Sequence, residues 1–101
     1  MRKIEENMLR AIAHVKDWRE ANTEVSVLGY TREANADTEY VEVAVYLHNN
    51  HIATVEMIRD LRTGNPEANF VVHNIVVNRE TLAQWPTRTT KSRLRALGAQ
   101  V

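Results

Sequence analysis

No cysteine occurs among the 101 residues. Disulfides and thiolate metal sites are therefore excluded, and the composition suits a reducing compartment. The chain holds only three glycines (Gly29, Gly64, Gly98) and two prolines. Because the glycines are isolated, no loop of the phosphate-cradling kind can be built. No apolar run approaches the ~18 residues that a membrane span needs. Met1-Arg2-Lys3 leads into Ile4-Glu5-Glu6 rather than an apolar stretch, which reads against a signal peptide. With 44% hydrophobic and 26% charged residues, the chain falls outside the disordered and fibrous classes. What remains is one small soluble domain, spanning residues 1–101. A chain of this size buries roughly two thirds of its unfolded surface.

The net charge is zero, but it is unevenly laid out. Residues 1–19 carry five cations and three acids, residues 20–60 two and eight, and residues 61–101 six and two. The middle is acidic and both ends are basic. The densest cationic stretch is Arg88, Lys91, Arg93 and Arg95, with no acid among them. An uneven field says more about partners than a net charge does.

Apolar spacing supplies the architecture. Ile4, Met8, Ala11, Ile12, Val15 and Trp18 recur at three- and four-residue intervals and predict an amphipathic helix over residues 2–19. Glu5, Glu6, Arg10, Lys16 and Asp17 fall on its other side. Thr23–Tyr30 reads as a first strand, followed by a polar loop over residues 31–37. Glu39–His48 alternates, with Val41, Val43, Val45 and Leu47 on one face. A turn follows at His48-Asn49-Asn50-His51, and a strand resumes over residues 52–58. Parity favours a three-residue loop, Asn49 to His51, setting Leu47 against Ala53, Val45 against Val55 and Val43 against Met57. A one-residue slip would turn every side chain to the wrong face.

Thr63-Gly64-Asn65-Pro66 breaks the chain again. Asn69–Val77 is apolar on both faces and reads as a central strand. Asn78 can cap one helical turn that ends at Trp85, before Pro86. Thr89 or Thr90 then caps a last helix through Leu97, with Gly98 as its stop. The expected fold is α+β in the order α-β-β-β-β-α. A four-stranded, mainly antiparallel sheet receives the N-terminal helix on one face, with a short basic helix beside it.

Several pieces, in order, carry a resemblance. They are Met1-Arg2-Lys3-Ile4-Glu5, Asp17-Trp18, Asn22-Thr23-Glu24-Val25, and Val45-Tyr46-Leu47-His48 running into His51-Ile52-Ala53. Trp85, Thr87 and Thr89-Thr90-Lys91-Ser92-Arg93-Leu94 complete the set. About half the chain thus resembles a family of small, uncharacterised proteins of tailed bacteriophages. The resemblance implies an accessory protein made in the cytoplasm of an infected host, and it brings no catalytic residues.

The candidate chemistries are few. His48 and His51 flank the turn, but with no cysteine and no nearby carboxylate they predict no metal site. His73 reads as a hydrogen-bonded core or sheet-face residue. Ser26 and Ser92 lack any elbow that would expose a nucleophile. Glu39 and Glu42 fall on opposite faces of a strand, so no carboxylate pair is expected. Neither catalysis nor a cofactor is predicted.

Two binding surfaces remain. The first, for a host or phage protein, is the hairpin set Tyr46, His48, Asn49, Asn50 and His51 together with an exposed edge, with self-association as a homodimer a further expectation. The second, for nucleic acid, is Arg88, Lys91, Arg93 and Arg95 with Trp85 as a stacking platform. No membrane partner is expected. The alternative for the cations is internal pairing with the acidic middle of the chain, in which case the helix is structural.

Overall fold

The computed structural model describes residues 2–32, 37–60 and 70–101. The expected break at Thr63-Gly64-Asn65-Pro66 lies outside them, as do Glu33 and most of the polar loop that contains it. The first helix, α1 (Lys3–Ala13), is shorter than its apolar spacing predicts. It ends in a Schellman turn, with Val15 N–H donating to Ile12 O at 3.0 Å and Lys16 N–H to Ala11 O at 2.9 Å. Val15 holds the left-handed position at φ 51°, which costs a β-branched residue about 1–2 kcal/mol.

The chain beyond that turn is a strand. Trp18 belongs to β1 (Trp18–Glu20), where it pairs with Val25 of β2 (Thr23–Thr31). It still packs on the core, so its place in the apolar pattern is kept while its element changes. β3 (Thr38–Leu47), β4 (Asn50–Asp60) and β5 (Val71–Val77) complete the sheet. All five strands are antiparallel and follow chain order. Among the described residues the sheet therefore has five strands, and β5 is an edge strand rather than a central one.

The β3–β4 hairpin corrects the expected register. Its loop has two residues, His48 and Asn49, both at positive φ (51° and 65°). That combination matches the twist of the flanking strands. Leu47 pairs with Asn50, and Tyr46 with His51. A bulge then inserts Ile52, after which Val45 meets Ala53, Val43 meets Val55 and Val41 meets Met57. The bulge restores the parity that an odd loop would have supplied. It also points Ile52 and Ala53 into the core together, both being buried. The Ile52 carbonyl is left to accept the Asn78 N–H at 2.9 Å.

Asn78 caps α2 (Arg79–Gln84), its side chain accepting from the Thr81 N–H. The last helix, α3 (Arg88–Leu97), is capped by Thr87 rather than by Thr89 or Thr90, because the Thr87 hydroxyl accepts the Thr90 N–H at 3.2 Å. It stops at Gly98, left-handed at φ 105°. One face of the sheet is covered by α1 and α3. Between them lie Met8, Ile12, Val25, Val43, Val45, Val55, Leu94 and Leu97, which form the heart of the core.

Candidate functional site

α3 divides the four expected cations. Its buried side is Thr90, Arg93, Leu94 and Leu97. Arg93, only 3% exposed, donates through a terminal guanidinium nitrogen to Glu5 Oε2 at 2.8 Å and through Nε to Thr23 Oγ1 at 3.1 Å. Glu5 is equally buried, which corrects its expected place on the outer side of α1. Ser92 Oγ donates to the same carboxylate oxygen, and the Arg2 N–H reaches the other at 3.4 Å. Burial alone would raise the Glu5 pKa. The hydrogen bonds from Ser92 and Arg93, with the Arg93 charge, outweigh that and hold it below the ordinary value. Arg93 is thus an interior anchor and leaves the nucleic-acid set.

The other three cations sit on the far side of α3. Arg88 and Arg95 are exposed and Lys91 is half-buried. Arg95 Nε donates to the backbone oxygen of Val101 at 2.9 Å. Among the described residues, neither Arg88 nor Lys91 has an ion-pair partner. The expected pairing of these cations with the acidic middle does not form there. Among the described residues, the one ion pair that α3 makes is with Glu5, while Glu39 in the middle segment is paired with Arg59, at the end of the hairpin away from its tip.

The hairpin residues separate as well. His48 and Asn49 form the exposed tip, whereas Tyr46 and His51 face the open side of the sheet with ring centroids 5.5 Å apart. Asn78 Oδ1 is committed to the Thr81 N–H, which aims its Nδ2 at His51 Nδ1, 3.3 Å away. Nδ1 therefore accepts, and Nε2 donates to Thr54 Oγ1 at 2.9 Å. His48 points elsewhere: its N–H donates to Asn22 O at 2.8 Å, and Nε2 stands 3.5 Å from Asn22 Nδ2. The two imidazoles diverge. Among the described residues, no group of three or more His, Asp or Glu is placed to hold a metal. His73 is an exposed bulge residue of β5, its ring edge against Tyr40 with centroids 6.5 Å apart, and is not in the core.

Part of each expected surface meets in one place. A cleft of about 350 Å³ opens between the hairpin tip and the α2–α3 corner. Leu47 and Ile52 line it together with His48, Asn50, Thr81, Trp85, Thr87 and Thr89. Trp85 is 47% exposed, so it is neither a free platform nor a closed lid. Pro86 and the Thr87 cap turn the chain sharply after it, which sets the indole at the rim. Asn22 ties this cleft to the interior. It holds His48 on one side and accepts from Thr23 Oγ1 at 2.9 Å on the other, and Thr23 in turn accepts from Arg93. Tyr46, Asn49 and His51 lie outside the cleft, as do Arg88, Lys91, Arg93 and Arg95.

Two features involve none of the residues named for the expected sites. A recess of about 400 Å³ lies where α1 turns into β1, among Asn7, Arg10, His14, Lys16 and Trp18. It depends on the unexpected helix end at His14. The other is the apolar exposure of β5 at Val71, Val72 and Val76. The continuous apolar run was the available signal, and it pointed to burial instead.

No curated protein and no solved structure matches the chain. The profile described as the Kyanoviridae Gp96 protein matches residues 1–101, the whole of the sequence. The tailed-phage resemblance carried by the two ends and the hairpin is therefore met by a match over the full chain, and the protein belongs to the Kyanoviridae Gp96 family, a family of phage proteins.

Proposed function

We propose that this is a phage accessory protein that works in the host cytoplasm by binding a host or phage protein, without catalysis. The observation that carries the reading is the cleft where His48 and Asn50 stand opposite Trp85. A half-exposed tryptophan at the rim of a concave surface, over an aliphatic floor of Leu47 and Ile52, has the character of an interface anchor. Polar tips around it give directional hydrogen bonds without a charge to desolvate. The site is also rigidly mounted: a tight two-residue turn holds one wall, and two capped helix ends hold the other.

The test is capture from lysate of infected cells, with wild-type protein beside a Trp85→Ala variant and a His48→Gly variant. Glycine keeps the positive φ of position 48, so the second variant removes the imidazole and leaves the turn intact. A protein retained by the wild type and lost from both variants is expected. Empty capture from infected cells, or capture that both variants match, overturns the reading.

A second reading rests on Arg88, Lys91 and Arg95, which turn outward on α3. Three phosphate contacts give weak nucleic-acid binding, with log affinity falling against log salt at a slope of about −2.7. Substituting the three by alanine should abolish such binding to DNA or RNA at low salt. If wild-type protein binds neither nucleic acid at low salt, this second reading fails.

A further inference from the structure

The two edges of the sheet are built in opposite ways. β1 has three residues, and Arg19 and Glu20 are both exposed there. β2 continues that edge past β1, where Asp17 Oδ1 accepts the Val27 N–H at 2.7 Å and the register slips between Val27 and Gly29. A short charged strand and an irregular stretch together resist the addition of another strand. β5 has seven residues, Val71-Val72-His73-Asn74-Ile75-Val76-Val77, with no Lys, Arg, Asp, Glu, Pro or Gly. Among the described residues it pairs with β4 alone, and Val71, Val72 and Val76 are 58%, 53% and 47% exposed. An edge of this length and composition is a template for pairing with another chain.

Its sequence also identifies the partner. Asn74 stands between Val71-Val72 on one side, after His73, and Ile75-Val76 on the other. His73 is the extra residue of the β4–β5 bulge: Glu56 pairs with Asn74 and Met57 with Val72. Across the bulge, Val72 and Ile75 share the helix-covered side, since their partners Met57 and Val55 are core residues. Val71 and Val76 share the open side, opposite Ile58 and Thr54. Two copies of β5 run antiparallel about a two-fold axis at Asn74, with the bulge residue His73 left out of the new ladder in each copy, would set Ile75 against Val72 and Val76 against Val71. Each pair is β-branched on β-branched, and each joins residues of the same face. No charge meets a like charge. A twofold interface requires a patch complementary to itself, and this strand is one.

We infer that β5 is a self-association edge, through which two copies of this chain join as one continuous sheet of ten strands. The inference is independent of the cleft, which lies beside the hairpin tip and holds no residue of β5.

Sedimentation velocity of the full chain over a wide concentration range tests it. The wild type is expected to dimerise, and Val71→Lys/Val76→Lys to sediment as a folded monomer, because each lysine would face another. Mixing that variant with Val71→Glu/Val76→Glu should restore a dimer, since every lysine then meets a glutamate. The chain has no cysteine, so Asn74→Cys reads the register directly: it should cross-link across the axis, whereas Arg19→Cys on β1 should not. The Trp85→Ala variant should remain a dimer even where it loses a captured protein. A wild type that stays monomeric overturns the inference, as does a dimer that the lysine pair leaves intact. If the lysine pair failed to fold, the cross-link decides: Asn74→Cys linking no faster than Arg19→Cys overturns the proposal.

Discussion

Arg93 and Arg95 are two residues apart on one helix and have opposite fates. Arg93 is buried against Glu5 and Thr23, while Arg95 is exposed and donates to the backbone oxygen of Val101. The difference comes from angular position. Leu94 and Leu97 turn one face of α3 to the core, and residue 93 lies on that face whatever its polarity. A guanidinium placed there must be satisfied, and Glu5 and Thr23 accept from it, with Ser92 donating to the same Glu5 oxygen. A cluster of basic residues in a sequence thus need not be one surface, because the helix sorts it into an anchor and a stripe.

The largest expected effect breaks the anchor. Arg93→Ala leaves the Glu5 carboxylate buried without its cation and should cost about 3–5 kcal/mol in urea denaturation. Arg95→Ala should stay within about 0.5 kcal/mol of the wild type. If both variants proved equally mild, the division of α3 into two faces would be wrong. The joint replacement Glu5→Leu/Arg93→Met sharpens the point, since removing both charges together should restore most of the loss.

Acid probes the same pair from the other partner. The Glu5 pKa lies below its ordinary value of 4.5 in the folded chain. Its contribution to stability is therefore complete above that ordinary value and is lost as the pH falls through the lower, folded one. The denaturation midpoint should decline from pH about 5 downward, and part of that decline should vanish in Glu5→Gln, whose amide does not titrate. An identical pH profile in both proteins would place the acid sensitivity elsewhere.

The anchor was also the part least legible in the sequence. Val41, Val43, Val45 and Leu47 announced β3 by alternation, and Asn78, Pro86 and Gly98 marked helix boundaries by their backbone chemistry. Glu5 and Arg93 are 88 positions apart, and each looks like an ordinary surface charge on its own helix. The end of α1 was hidden for a different reason. Val15 occupies the left-handed position that Gly98 holds in α3, so no glycine marked the stop. Trp18, three residues on, continued the helical spacing by coincidence. At β5, apolar residues on both faces usually mean burial between neighbours, and the strand instead exposes them at an edge. At the hairpin, alternation fixes the parity of the pairing, but the Ile52 bulge and not the loop length supplies it.

A smaller effect separates the cleft walls. Asn78→Ala removes the α2 cap and the partner of His51 Nδ1, while the Thr87 cap of α3 is untouched. A loss of about 1 kcal/mol is expected. The amide protons of residues 79–82 should exchange faster, and those of residues 90–94 should be unchanged. Equal loosening of both helices would mean that the corner at Trp85 moves as one piece rather than as two separately capped ends.

The smallest expected effect lies where the network from Arg93 emerges. Arg93 holds Thr23, Thr23 holds Asn22, and Asn22 follows Ala21 in the two-residue β1–β2 turn. Ala21 is exposed and sits at φ 51°, where a Cβ costs about 1–2 kcal/mol. Glycine removes that strain but gives the unfolded chain about 0.5–1 kcal/mol of extra freedom. Ala21→Gly should therefore stabilise the protein by about 0.5 kcal/mol, visible as a small rise in denaturation midpoint. Combined with Arg93→Ala, the gain should persist if the turn is shaped by its own backbone. It should shrink if Thr23 and Asn22 need the buried arginine to hold the turn in register. The double variant thus measures how far the influence of the anchor reaches toward the exposed tip at His48.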